Sequence, residues 1–374
     1  MIIVDSGDLL NEDEELPESV VESAELKADA MVRILNHIGL DAAGVGELDL
    51  VLGIDFLKEL EAKYNFPFIS ANLVDESNTP IFKPYVVKEV NGKKIGIFSI
   101  IGDTSEMASK VKQITKGAAS VTDPLEAAES VISELSGKVD YMIALAHQKT
   151  NRNWVLARRV DGIDLVVGGH DKQKTADPSE ADTTLIVQAG EKNQYQGLLE
   201  VVMDGSKTWS NRLAPLGEEI ANDPEVKAMI NKYNDDIIDL YSSPSSSKPA
   251  TEATLRLTAC EPCHSDAVKQ WKTTDHAHAY QTLVEQNKQF DPKCLMCHTT
   301  RFEKPEGFSM KQQQMELVNV QCESCHGHAD KHLSSMEPIP VPDPDIDFCV
   351  TCHTPDRCPE FKEESEIVMD KIKH

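Results

Sequence analysis

The sequence predicts a layered α/β domain followed by a cysteine-rich module built on different rules. Three observations predict it. Apolar strand-like runs alternate with helical stretches over roughly the first two hundred residues, as when helices cover sheets. The segment Ser242-Ser-Pro-Ser-Ser-Ser-Lys-Pro then has the composition of an exposed linker. After it the alternation stops, and four Cys-x-x-Cys-His pentads follow within fewer than a hundred residues. The expected division is 1–215 for the α/β domain, 216–254 for a helix and linker, and 255–374 for the cysteine module.

The elements follow in order. Residues 2–5 are an apolar strand running into Asp5-Ser-Gly-Asp8. Pro17 followed by Glu18 suits a helix first turn, and Leu26, Ala30, Ile34 and Leu35 carry that helix to about His37, where Gly39 ends it. A strand over 43–47, a helix over 54–64 and a strand over 66–71 come next. Asn91-Gly92 marks the tight turn of a hairpin that begins at Tyr85. Asp123-Pro124 opens a helix to about Leu135, and 141–147 and 164–170 read as buried strands with a short helix, 154–160, between them. Strands over 184–188 and 198–203 close the domain, and a polar helix spans about 224–240.

The pentads are Cys260-Glu-Pro-Cys263-His264, Cys294-Leu-Met-Cys297-His298, Cys322-Glu-Ser-Cys325-His326 and Cys349-Val-Thr-Cys352-His353. The spacing has a chemical cause. Two thiols add across the two vinyl groups of one porphyrin, and the adjacent His ligates the iron. A pair of zinc ribbons is the alternative, but ribbons do not need His after every second Cys. The expected cofactors are four covalently attached haem c groups. The ninth cysteine, Cys358, is then a free thiol near the last haem or a small structural residue.

A net charge of −26 and a pI near 4.8 exclude nucleic acid as a partner and favour basic redox proteins. No apolar run is long enough to span a membrane. Haem c is attached outside the cytoplasmic membrane, so the protein is expected in the periplasm or another extracytoplasmic space. Met1-Ile-Ile-Val-Asp has neither the basic nor the apolar region of an export signal, so the true N-terminus is expected to lie upstream.

Val4-Asp5-Ser6-Gly7-Asp8, Ser70-Ala71-Asn72-Leu73, Leu145-Ala146-His147 and Gly168-Gly169-His170 occur in this order. Together they resemble the calcineurin-like metallophosphatases, most closely the 5′-nucleotidase/UDP-sugar hydrolase branch, over about residues 1–215. The resemblance implies an αββα sandwich, here N-terminally truncated because the opening Asp-x-His motif is absent. It implies two metal ions about 3.5–4 Å apart, with Asp8 bridging and His147 and His170 as imidazole ligands. The family's Gly-Asn-His-Glu is Gly46-Glu47-Leu48-Asp49 here, so Leu48 replaces the catalytic His. Its Gly-His-x-His is Gly169-His170-Asp171-Lys172, so an ammonium replaces one imidazole ligand. The expectation is a residual divalent-metal site at Asp8, Glu47, His147 and His170 on a domain that has lost hydrolysis.

Trp271-Lys-Thr-Thr274-Asp-His276-Ala-His278-Ala-Tyr280, Asn319-Val-Gln-Cys322 to Gly327 and His332-Leu333 resemble the tetrahaem cytochrome c-554 family over about residues 255–374. The usual Pro after Cys-His-Gly is His328 here. The resemblance implies a mainly α multihaem domain with distal iron ligands drawn from His276, His332 and His278; His328 and His374 fit less well. So short a segment cannot insulate four macrocycles, which must themselves form the core and pass charge among themselves. Trp271 is expected to pack on a porphyrin, and Met296 and Met310 to fill gaps. The expected function is electron transfer. The alternatives are an oxidoreductase acting on a small nitrogen or sulfur compound at an open iron, and a phosphoesterase fused to a redox module.

Overall fold

The computed structural model describes residues 1–203, 208–217, 220–242, 256–341, 344–355, 357–358 and 361. The chain forms two compact units, Met1–Leu16 with Ala24–Ile230 and Pro17–Ser23 with Asn231–His374.

The first unit holds two packed sheets. Strands β1 (Val4–Asp5), β2 (Ala42–Gly44) and β3 (Phe68–Ile69) form a parallel three-stranded sheet in that order. β4 (Leu73–Asp75) pairs separately with β7 (Ala119–Val121). The larger sheet contains β5 (Tyr85–Val90), β6 (Lys93–Ile101), β8 (Tyr141–His147), β9 (Leu165–Gly168), β10 (Ser179–Ala181) and β11 (Thr184–Val187), in the order β10-β11-β9-β8-β6-β5. Its inner strands β6, β8, β9 and β11 run parallel, and its edges are antiparallel. The Asn91-Gly92 turn joins β5 to β6 with φ of 52° and 72°, the left-handed pair that a two-residue hairpin needs.

The period of two along each strand sorts the side chains into layers. Ile143 and Leu145 of β8 join Ile95 and Ile97 of β6 and Ala42 and Ile69 of the small sheet in a core between the sheets. Met142, Ala144 and Ala146 face the other way, onto α4 (Pro124–Leu135) and α5 (Thr150–Arg159). The outer face of the small sheet packs on α1 (Val21–His37), α2 (Ile54–Tyr64) and α3 (Ser105–Ile114) through Val32, Leu57, Phe68 and Val111. The result is the expected αββα sandwich.

Local boundaries shift for identifiable reasons. α5 starts at Thr150 rather than 154, and α3, which the expected elements did not include, buries Met107 and Val111 one turn apart against the core. The strand expected at 198–203 starts at Tyr195 (β12, Tyr195–Val201) and is paired by an unanticipated β13 (Trp209–Pro215). β2 ends at Gly44 instead of reaching Glu47, because the chain turns there into the 3-10 segment Leu48–Leu52.

The second unit is mainly helical. α6 (Pro224–Ser242) leads to short helices: α7 (Arg256–Cys260), α8 (Ser265–Trp271), α9 (Ala279–Glu285), α10 (Pro292–His298), α11 (Cys322–His326), α12 (Asp330–Ser335) and α13 (Ile346–Cys349). Val268, Leu295, Phe308 and Met310 are buried there. The linker over 243–255 and His374 lie outside the described residues. Among the described residues, no helix is long and apolar enough to cross a membrane.

Candidate metal centre and haem-attachment module

In the first unit, four side chains converge where strands of both sheets end. Asp8 follows β1, Glu47 follows β2, His147 is the last residue of β8 and His170 follows β9. Parallel strands deliver their C-terminal ends to one edge, where an α/β sheet presents ligand sites. Backbone shape concentrates them further. Asp8 and His170 sit at φ of 59° and 61°, a left-handed conformation that polar residues tolerate and functional sites often hold. Gly46 allows the loops to meet, because a Cβ there would clash with the Asp8 carboxylate and lie 2.7 Å from the Asp8 amide nitrogen.

The ligand atoms of the four residues lie within 4.8 Å of one another. His147 Nε2 is 2.9 Å from Glu47 Oε2 and 3.2 Å from Asp8 Oδ2. His170 Nδ1 is 3.4 Å from Glu47 Oε1. His147 Nδ1 donates to the Ser6 carbonyl at 3.0 Å, which leaves Nε2 facing the carboxylates. Burial would raise the Glu47 pKa, but His147 and His170 hold it well below the carboxylate range. Burial would likewise lower His147, yet Asp8 and Glu47 hold it well above the usual imidazole value.

Asp49 organises the loops. Its carboxylate accepts the amides of Asp8 (2.8 Å), Gly46 (2.8 Å) and Leu10 (3.0 Å). Burial and the nearby Asp8 push its pKa to about 7. Sequence reasoning gave Asp49 no role; an acid inside the apolar run Leu48-Asp49-Leu50-Val51-Leu52 was the available signal. Asn72 stands apart from the cluster and bridges backbone, donating to the Ile101 and Thr122 carbonyls and accepting the Ile101 amide. Lys172 pairs with Glu191 at 3.1 Å, and Leu48 contributes its backbone amide to Asp8 Oδ1 at 2.8 Å.

These groups fit a divalent cation. Glu47 Oε2 and His147 Nε2 are buried and make no hydrogen bond of good geometry, although they lie in contact. Carboxylates and an imidazole whose Nδ1 is anchored are the donor set for such an ion.

In the second unit, the pentads come together in pairs. The thiols of Cys260 and Cys322 lie against each other, as do those of Cys297 and Cys352. The first motif therefore abuts the third, and the second abuts the fourth. Two of the histidines expected as distal ligands lie opposite pentad histidines: His332 opposite His264 with ring centroids 6.2 Å apart, and His276 opposite His353 at 6.0 Å. Two imidazoles on opposite sides of one iron stand roughly 6 Å apart, from two metal–nitrogen bonds of about 2 Å plus the depth of each ring.

Tautomers agree with this role. Nδ1 of His298, His326 and His332 meets the backbone carbonyls of Ala279 (2.6 Å), Val341 (2.9 Å) and Glu337 (2.8 Å), which places the ring proton on Nδ1 and the lone pair on Nε2. Burial lowers the pKa of His276, helped by His353, and burial lowers His353, so both favour the neutral form that ligates. His353 Nδ1 lies 3.3 Å from the Cys358 sulfur, and Phe361 stacks on its ring at 4.2 Å. His278 is exposed. Trp271 donates to the Val320 carbonyl at 2.8 Å, Met310 is buried and Met296 is exposed.

The comparisons agree with both halves. The family model "Cytochrome c554 and c-prime" matches residues 259–327. The trifunctional nucleotide phosphoesterase protein YfkN of Bacillus subtilis is 28% identical over 287 residues, 64% of this chain and 19% of that protein. A Vibrio cholerae 5′-nucleotidase is 30% identical over 215 residues, 49% of this chain and 38% of the relative. The chain thus spans less than half the length of these curated relatives. Among solved structures, the sulfate thiohydrolase SoxB of Thermus thermophilus superposes with a TM-score of 0.55 at 21% identity, over 64% of this chain and 43% of that one. The first unit therefore has the metallophosphatase fold and is related to 5′-nucleotidase-type phosphoesterases, and a cytochrome c554-type segment follows it.

Proposed function

We propose that this chain is an extracytoplasmic tetrahaem electron-transfer protein carrying a metal-binding domain of metallophosphatase fold. The observation that carries the reading is the pairing of His264 with His332 and His276 with His353 at iron-spanning distance. Cys260, Cys263, Cys294, Cys297, Cys322, Cys325, Cys349 and Cys352 would form the thioethers. His264, His298, His326 and His353 would be proximal ligands, His276 and His332 distal ones, with His278 a further candidate. Haem held by these residues would supply one-electron chemistry. The chain's part would be to orient the imidazoles through backbone carbonyls and to hold the motifs close to one another. Its acidic surface suits a basic redox partner.

The test is to export the full chain with a c-type maturation system, count haem per chain, and record its redox titration with low-temperature paramagnetic resonance. Four covalent haems, at least two of them low-spin with two axial imidazoles, are expected. A colourless protein, or one holding zinc at the pentads, overturns the reading.

A second reading has an observation of its own. Asp8, Glu47, His147 and His170 converge as a divalent ion requires, and an ion there would polarise a phosphoryl oxygen. Leu48 in place of an acid–base imidazole, and Lys172 turned to Glu191, favour metal binding without hydrolysis. Turnover of a nucleotide or bis(p-nitrophenyl) phosphate by the manganese-loaded chain, abolished by Glu47→Gln, would instead establish a phosphoesterase joined to a redox module.

A further inference from the structure

A second cluster of metal-ligating side chains lies beside the third pentad. His328 occupies the position where the related cytochromes usually carry Pro, and Gly327, at φ 78°, turns the chain between His326 and His328. His326 directs its Nδ1 to Val341, whereas His328 enters an acidic corner. His328 Nε2 lies 2.9 Å from Asp330 Oδ2 and 3.0 Å from Glu306 Oε2. The ligand atoms of these three residues fall within 4.8 Å of one another.

Exposed acids alone would mean little. Here a buried carboxylate stands behind the imidazole. Glu323, only 4% exposed, places Oε1 3.3 Å from His328 Nδ1, and the same oxygen accepts the Ala329 amide at 2.7 Å. A carboxylate on Nδ1 fixes the proton there and orients the ring with Nε2 outward, the order found behind metal-bound histidines. Two carboxylates and the imidazole then meet from three sides, half exposed to water that can complete the coordination. One nitrogen and two oxygens suit an ion of borderline softness such as zinc.

We propose that Glu306, His328 and Asp330 bind a divalent cation of the zinc class, with Glu323 as the positioning residue for His328. The site is independent of the Asp8 cluster, which lies in the other unit, and its ligands are not needed for haem attachment. The competing arrangement is an imidazolium ion-paired to the same carboxylates, which would hold no metal.

The experiment uses the full, haem-loaded chain, in which the pentad thiols are consumed as thioethers, in a Glu47→Gln background that disables the other cluster. After chelation, zinc is added and binding is followed by calorimetry, with haem absorbance and circular dichroism as checks on folding. One zinc per chain is expected. His328→Ala and, separately, the exposed Glu306→Gln should each weaken binding tenfold or more, and Glu323→Gln should weaken it roughly tenfold through the imidazole. Crystals soaked in zinc should show anomalous scattering at His328 Nε2. Failure to bind zinc, or binding that His328→Ala and Glu306→Gln both leave unchanged while the spectra stay native, overturns the proposal.

Discussion

His147 Nε2 and Glu47 Oε2 lie 2.9 Å apart, both buried, with no hydrogen bond of good geometry between them. The two atoms are held together by the ends of strands from two different sheets. A divalent cation there would take the place of the proton that Asp8 and Glu47 hold on the His147 imidazole.

Glu47→Gln removes the central carboxylate and should abolish manganese or zinc retention by the first unit. Metal analysis and thermal unfolding check this. In the native chain, metal at a hundred times its Kd should stabilise that unit by about 2.7 kcal/mol, and in the variant the shift should vanish.

Metal binding at this cluster should tighten as pH rises. Asp8 and Glu47 hold the His147 pKa well above its ordinary 6.5, so the metal-free chain keeps a proton on the imidazole at neutral pH. The stability this proton contributes is fully present below the unfolded value and is lost as pH rises through the folded one. An incoming metal must displace it, so proton release should be measurable by calorimetry in buffers of differing ionisation enthalpy. An affinity that does not change with pH would contradict this.

Gly46→Ala should damage the cluster without touching a ligand. The new methyl would lie 2.7 Å from the Asp8 nitrogen, so the Asp8 loop must move. A stability loss of roughly 1–3 kcal/mol is expected, with weakened metal binding. Haem content and spectra should be unchanged.

His276→Ala and His332→Ala should each convert one haem from low-spin to high-spin ferric. Paramagnetic resonance would show a new high-spin signal in each variant and additive signals in the double variant. An unchanged spectrum in either would remove that histidine from the axial set.

The Cys-x-x-Cys-His pattern was legible in the sequence because it is purely local: two thiols and an imidazole recur at fixed spacing without reference to anything distant. The strands and most helices were legible for the same reason, since periodicity and turn residues act over a few positions. The αββα layering and the identity of Asp8, Glu47, His147 and His170 came from ordered short motifs. Nothing local could show that Glu47 reaches His147, a hundred residues onward, or that Asp49 ties the amides of Asp8, Leu10 and Gly46 together. Those contacts depend on parallel strands from separate sheets ending at the same edge. The pairing of His276 with His353 and of His264 with His332, and the placing of Glu323 behind His328, were likewise decided only when the chain closed on itself. Local spacing chooses which groups are present; their distances are set by sheet register and packing, which involve residues far apart in sequence.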